Sequence, residues 1–240
     1  EIQVSNYNEI FGLLRKGEDN KIIAETKLNE KSDNNTSEDN KNEGRFFEIN
    51  YKVETGGYYL KDLGKGLGTF IKIKDSLLLK DSTLISIGDS FIVVNFENEE
   101  SYQYNGERLT TESKFQGIGK KIILRVYEGK NATITKDYYF LPSRDQIIKI
   151  GRINHNNQIE LDDNLVSKVN ANIQYNDYEG WVIRDGNERR KENGTIERVP
   201  STNGTWFLPV DEFKIYDGMI FKGNFILFCC NLLTNLNQDD

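Results

Sequence analysis

The sequence predicts an all-β protein built of two β-sandwich domains. Three observations predict this class: short runs in which apolar and polar residues alternate, turn-forming Gly, Asn and Asp between those runs, and no long stretch with a helical apolar period. Phe47, Ile49, Tyr51 and Val53 fall on one face of such a run, with Glu48, Asn50 and Lys52 on the other. Ala171, Ile173 and Tyr175 repeat the pattern. Many short strands separated by frequent turns are the signature of a sandwich or barrel.

In chain order, further strands are expected at 58–60, 69–73, 90–94, 121–127, 147–150, 181–184 and 225–230. Residues 29–44 (NEKSDNNTSEDNKNEG) hold no aliphatic or aromatic side chain, so nothing there offsets the entropy of ordering, and a disordered insertion is expected. Residues 186–200 (GNERRKENGTIERVP) are nearly as polar and are expected to form a loop insertion. A third polar stretch, 97–120, divides the strand-rich halves. The expected organisation is therefore a first domain at 1–97, a linker at 98–119 and a second domain at 120–235. An internal repeat supports it. GYYLKDLGKGLGTF at 57–70 parallels GWVIRD at 180–185 followed by STNGTW at 201–206, and both halves continue into an aliphatic pair of strands, at 84–89 and 215–218. This period is that of a duplicated domain.

Composition narrows the function. With 240 residues, 37% hydrophobic, 29% charged and only three Pro, the chain has the means to pack a core. Its 31 basic residues against 38 acidic ones, a formal charge of −7, argue against a nucleic-acid partner, whose phosphates are met mainly by Lys and Arg. No apolar run approaches the roughly 18 residues that span a bilayer, so no membrane partner is expected. Cys229 and Cys230 are adjacent, which suits neither a disulfide framework nor a zinc site; they read as rim and core of one strand. With no signal peptide, an intracellular location is expected, and nothing in the residues separates cytoplasm, nucleus and cilium. The only histidine, His155, stands in an Asn-rich loop, so no metal is expected. No nucleophile is paired with a base. The glycines at 64, 66 and 68 lack the Gly-Lys-Ser/Thr ending of a nucleotide loop. No catalytic residue, cofactor or small-molecule substrate is therefore expected, and the chain reads as a non-enzyme.

Four motifs carry the positive signal: KIGR at 149–152, IELDDNLVSKVNANI at 159–173, GWVIRD at 180–185 and STNGTW at 201–206. In this order they resemble a forkhead-associated (FHA) domain. The resemblance implies a β sandwich whose loops at one end bind phosphothreonine peptides. By that resemblance Arg152 meets the phosphate with its planar guanidinium fork, Ser167 holds it through hydroxyl and amide, and Lys168 adds a second cation or donor. Thr202 completes the phosphate pocket and Asn203 grips the peptide backbone. Gly151, Asn170, Gly204 and Thr205 support the site, Asn170 standing where the family commonly has His.

The first half resembles the same family with its site degraded. Lys65, Gly66 and Leu67 stand where the pocket Ser-Thr-Asn belongs, and Leu13 stands where the Arg belongs. The expected function is phosphothreonine-dependent protein interaction in signalling or complex assembly, with a phosphothreonine-containing protein as partner. Two alternatives stay open at this point: a structural, phosphate-independent component of a larger assembly, and the regulatory region of an enzyme whose catalytic domain lies outside this chain.

Overall fold

The computed structural model describes residues 13–16, 22–25, 45–97, 117–128, 134–224 and 226–232. The expected insertion at 29–44 lies outside them. Regular structure among the described residues is strand throughout, apart from a single 3₁₀ turn at Val53–Thr55. The chain begins with β1 (Leu13–Lys16), β2 (Ile22–Glu25), β3 (Arg45–Lys52), β4 (Gly57–Asp62) and β5 (Thr69–Lys72). Then come β6 (Leu77–Leu78), β7 (Leu84–Ile87), β8 (Ser90–Glu97), β9 (Lys121–Glu128) and β10 (Ile134–Phe140). Next are β11 (Ile147–Arg152), β12 (Ile159–Leu161), β13 (Ala171–Asn176), β14 (Gly180–Asp185), β15 (Asn187–Arg190) and β16 (Ile196–Val199). The last are β17 (Trp206–Leu208), β18 (Phe213–Lys214), β19 (Met219–Gly223) and β20 (Ile226–Cys230).

These strands form two compact units, one made of Glu1–Lys72 with Leu208–Asp240, the other of Ile73–Phe207. In the first unit one sheet runs in the order β1-β2-β3-β4-β18, and β5, β19 and β20 lie side by side. Its core is aromatic. The ring of Phe47 meets those of Phe221 and Phe228 edge-on at 4.9 and 5.0 Å between centroids, and the latter two stack at 4.8 Å. Phe47 and Ile49 are buried as the alternation requires, but Tyr51 and Val53 are exposed. Val53 is exposed because β3 stops at Lys52 and the chain turns out through the 3₁₀ helix before it can face the core; Tyr51, still in β3, sets its ring 5.0 Å from that of Tyr58, its partner on β4.

In the second unit one sheet runs β12-β11-β13-β14-β6 and the other contains β10-β9-β8-β7-β17. Alternation along β8 and β9 sends Ile92, Val94, Ile122, Leu124 and Val126 inward, all fully buried, as are Ile148, Ile150 and Ile173 of the facing sheet. Each such side chain contributes about 1.5–3 kcal/mol by leaving water. Trp181 is wholly buried, its ring against Tyr175 and its Nε1–H donating to the Lys120 carbonyl at 2.8 Å.

The division differs from the expected organisation in two places. β8 and β9, on either side of the expected linker, pair antiparallel from Phe91↔Tyr127 to Glu97↔Lys121, and the Gly119 N–H is fastened to the Tyr175 hydroxyl at 2.8 Å. Strands β18 to β20, expected in the second domain, stand in the first unit. A polar stretch marks where the chain leaves a core; it carries no information about which strands meet on either side of it.

The stretch 186–200, expected as a loop, is an antiparallel hairpin, β15 with β16, paired from Asn187↔Val199 to Arg190↔Ile196. Both its faces are largely in solvent. Cross-strand charges replace the missing apolar face, with Arg198 on Glu188 at 3.2 Å and Lys191 near Glu197 at 3.1 Å.

Candidate functional site

Three chain segments of the second unit converge at one end of its five-stranded sheet: the end of β11, the loop from β12 to β13, and the loop before β17. Arg152 closes β11, and its backbone N–H donates to the Ser167 carbonyl at 3.0 Å. Gly151 precedes it because nothing larger fits: a Cβ there would stand 2.3 Å from the Lys168 carbonyl oxygen. The side-chain amide of Asn157 donates to the Arg152 and Lys168 carbonyls, at 3.1 and 2.8 Å, and so staples the strand end to the loop.

Ser167 sits at the centre of the cluster. Its hydroxyl accepts from the Thr202 N–H at 3.0 Å and lies 3.3 Å from the Thr202 hydroxyl. Asn203 reaches back to the same loop, its Nδ2 donating to the Leu165 carbonyl at 2.8 Å. Lys168, Thr202 and Asn203 are exposed, while Arg152 and Ser167 are half-buried. The structure thus brings the five expected contact residues together where these three segments meet.

Beneath them lies a buried polar layer. Asn170, 1% exposed, accepts from the Ser167 N–H at 3.2 Å and donates to the Thr205 hydroxyl at 3.1 Å. Asp185, buried at the end of β14, accepts from the hydroxyls of Ser201 and Thr205 at 2.6 and 2.7 Å and from the Ser201 N–H at 3.0 Å. Gly204 donates its N–H to the Ser201 hydroxyl at 2.9 Å. A carboxylate out of water needs such donors, and in return it fixes the turn that presents Thr202 and Asn203. Sequence reasoning did not assign a role to Asp185, Asn157 or Ser201; the Asp that ends GWVIRD, sixteen residues ahead of a Ser-Thr turn, gave no signal of contact with it.

A second anchor was also missed. Asp163 Oδ1 accepts from the Leu165 N–H at 2.7 Å, and its Oδ2 accepts from the Asp89 N–H at 2.8 Å. The β7–β8 turn therefore holds the loop that carries Ser167. Gly88 in that turn has φ +57°, and a Cβ would stand 2.1 Å from Asp163 Oδ2.

The matching loop of the first unit is built differently. Lys65 and Leu67 are exposed, Gly64 donates to Asp62 Oδ2 at 3.0 Å, and Asp62 Oδ1 is buried without a partner among the described residues. With Lys65, Gly66 and Leu67 the loop offers neither hydroxyl nor amide side chain at these positions. Leu13 lies in β1.

In the loop cluster Lys168, Thr202 and Asn203 are exposed. A groove of about 290 Å³ lies against β11, β13, β14 and the β15–β16 hairpin. An extended peptide needs exposed donors rather than an enclosed volume, so the hydrogen-bond geometry of the loops decides the location of the candidate site. Elsewhere, Cys230 is 1% exposed and burial pushes its thiol up to about 12, while Cys229 is partly open, as rim and core positions require. Among the described residues no helix is long and apolar enough to cross a membrane.

A β sandwich whose loops gather a guanidinium, an ammonium, hydroxyls and an amide at one sheet end is built for recognition at that end. Residues 148–222 match the family model of the FHA domain. The chain carries an FHA domain, a phosphopeptide-binding protein-interaction module. Neither curated proteins nor solved structures gave a match to the sequence.

Proposed function

We propose that the chain binds phosphothreonine on a partner protein, through Arg152, Ser167, Lys168, Thr202 and Asn203, and acts in signalling or complex assembly. The observation that carries this reading is the Ser167–Thr202 hydrogen-bond pair, set on the buried Asn170–Thr205–Asp185 layer and flanked by two cations. A phosphate dianion has its charge spread over three strong acceptor oxygens, and fixed donors held before it arrives spare the cost of ordering them. The Arg152 guanidinium and Lys168 ammonium neutralise the charge. The Ser167 and Thr202 hydroxyls donate to oxygens, and Asn203, held by Leu165, offers its side-chain carbonyl to a peptide N–H.

Calorimetry on the full chain, with a phosphothreonine peptide selected from a library and its unphosphorylated form as control, tests the reading. Arg152→Ala is expected to cost about 2–5 kcal/mol of binding, since the phosphate is left partly desolvated and unpaired. Stability should stay within about 0.5 kcal/mol, as for most surface substitutions. Unchanged affinity in Arg152→Ala would overturn the assignment.

A further inference from the structure

The groove beside the hairpin is lined by Lys149 of β11, Arg184 of β14, Arg190 of β15 and Arg198 of β16, with Ile147 and Ile196 among its walls. Four cations face a single lining carboxylate, Glu188, which Arg198 already engages at 3.2 Å, in a chain whose formal charge is −7. Two of the cations are held in place. Arg184 donates to Gln174 at 2.8 Å, and Arg198 donates to the Asp75 carbonyl at 3.0 Å. Lys149 and Arg190 have no side-chain partner among the described residues and are available to a ligand.

We propose that this groove takes an acidic segment of the same partner that presents the phosphothreonine, so that the protein reads a phosphothreonine and a carboxylate run together. The inference rests on the phosphothreonine reading of the loop face. Lys149 precedes Arg152 by three residues on one strand, about 10 Å at 3.3 Å per residue, so an extended peptide covers the gap with a few residues. Apolar walls at Ile147 and Ile196 and side-chain amides at Asn172 and Gln174 suit a peptide with mixed side chains and a backbone to pair. A nucleic acid needs a broader basic footprint than one short groove supplies.

The test uses the full chain and three peptides: a phosphothreonine peptide with neutral flanks, the same peptide with a run of glutamates starting about four residues away on either side, and the unphosphorylated glutamate peptide. The glutamate run is expected to tighten binding about tenfold, the sum of a few exposed ion pairs, and to lose this gain at high salt. In Lys149→Ala/Arg190→Ala the gain should vanish while the neutral phosphopeptide binds as before. Equal affinity of the acidic and neutral phosphopeptides for the native chain, a gain that survives the double substitution, or displacement of the acidic run by a single-stranded oligonucleotide would overturn the proposal. Binding of the glutamate peptide through Lys149 and Arg190 with no dependence on phosphate would overturn the phosphothreonine reading and leave the groove standing.

A second inference follows from the pairing registers. β6 pairs with β14 as Val182↔Leu78 and Ile183↔Leu77, and the Leu79 N–H donates to the Trp181 carbonyl at 2.8 Å. β18 pairs with β4 as Lys214↔Tyr59 and Phe213↔Leu60, and the Ile215 N–H donates to the Tyr58 carbonyl at 2.8 Å. The two arrangements superpose GWVIRD on GYYLKD residue by residue. Further bonds recur in the same register: Gly186 N–H to the Asn170 carbonyl matches Leu63 N–H to the Phe46 carbonyl, at 2.7 and 3.0 Å. Thr205 and Thr69 approach these same carbonyls with their hydroxyls at 3.5 and 3.3 Å.

We infer that the chain is a duplicated FHA domain whose two copies have exchanged their last three strands, β6–β8 completing the later copy and β18–β20 the earlier one. The FHA match at 148–222 is continuous in sequence, yet the two compact units divide it between residues 207 and 208. The superposition also sets Phe46 where the later copy has Asn170, so the earlier copy lacks the loop-organising amide as well as the hydroxyls. Paired residues on adjacent strands bring their Cβ atoms to about 5 Å, within reach of a disulfide after modest adjustment. In the full chain, Leu78→Cys/Val182→Cys should form an intrachain crosslink on oxidation, mapped by mass spectrometry, and Val182→Cys/Lys214→Cys should not. A crosslink between 182 and 214, or a 78–182 crosslink that joins two chains into a dimer, would overturn the exchange.

Discussion

At the scale of the residue, the site separates into groups that face solvent and groups that hold them. Thr202 is exposed and Asn170 is 1% exposed, so substituting each should have opposite signatures. Asn170→Ala leaves the Ser167 N–H without its acceptor and removes the donor to the Thr205 hydroxyl. A buried polar group stripped of its partner costs about 1–3 kcal/mol, and denaturant unfolding should show a loss of that size together with weakened phosphopeptide binding. Thr202→Val keeps the shape and removes an exposed hydroxyl together with its 3.3 Å contact to the Ser167 hydroxyl, which water can replace. Its stability should stay within about 0.5 kcal/mol while binding falls. A Thr202→Val protein as destabilised as Asn170→Ala would show that the hydroxyl serves the fold, not the ligand.

At the scale of the element, legibility followed burial. β8 and β9 were readable because one side of each is fixed against a core, and period-2 alternation is the imprint of that contact, whereas β14, buried at four successive positions from Gly180 to Ile183, was readable as a short apolar run between turn residues. The same logic hid the β15–β16 hairpin: a ribbon wet on both faces needs no apolar stripe, and its charges read as a loop. It also misplaced Val53, since alternation in sequence continues past Lys52 although the strand does not. Of the site, the exposed contact residues were legible through the motifs on which they stand. Asp163 and Asp185 were not, because each bonds a backbone N–H distant in sequence, Asp163 that of Asp89 across 74 positions and Asp185 that of Ser201 across 16, and Asn157 was not, because in an Asn-rich loop nothing marks which amide bridges two carbonyls. Sequence pattern reports which side of a strand is buried, and pairing partners are a separate question.

At the scale of the whole molecule, that question decides which piece of the chain can stand alone. The stretch expected as the second domain, 120–235, lacks β6, β7 and β8, and with them Leu79, Ile85, Ile87, Ile92 and Val94, all fully buried. Five such side chains at about 1.5–3 kcal/mol each amount to roughly 8–15 kcal/mol. That equals the entire stability of an ordinary domain, about 5–15 kcal/mol. The fragment would also free the edge of β9 that β8 covers, an unpaired edge prone to association. It would lose the Asp89 N–H that holds the Ser167 loop through Asp163. A fragment of residues 73–207 keeps all of these together with Arg152, Ser167, Lys168, Thr202 and Asn203. Expressed separately, 73–207 should unfold cooperatively in denaturant and bind the phosphothreonine peptide with the affinity of the full chain, whereas 120–235 should aggregate or show no cooperative transition. A cooperative, phosphopeptide-binding 120–235 fragment would mean that β18–β20 can complete the later copy, and that the placement of β6–β8 there is not what sustains the site.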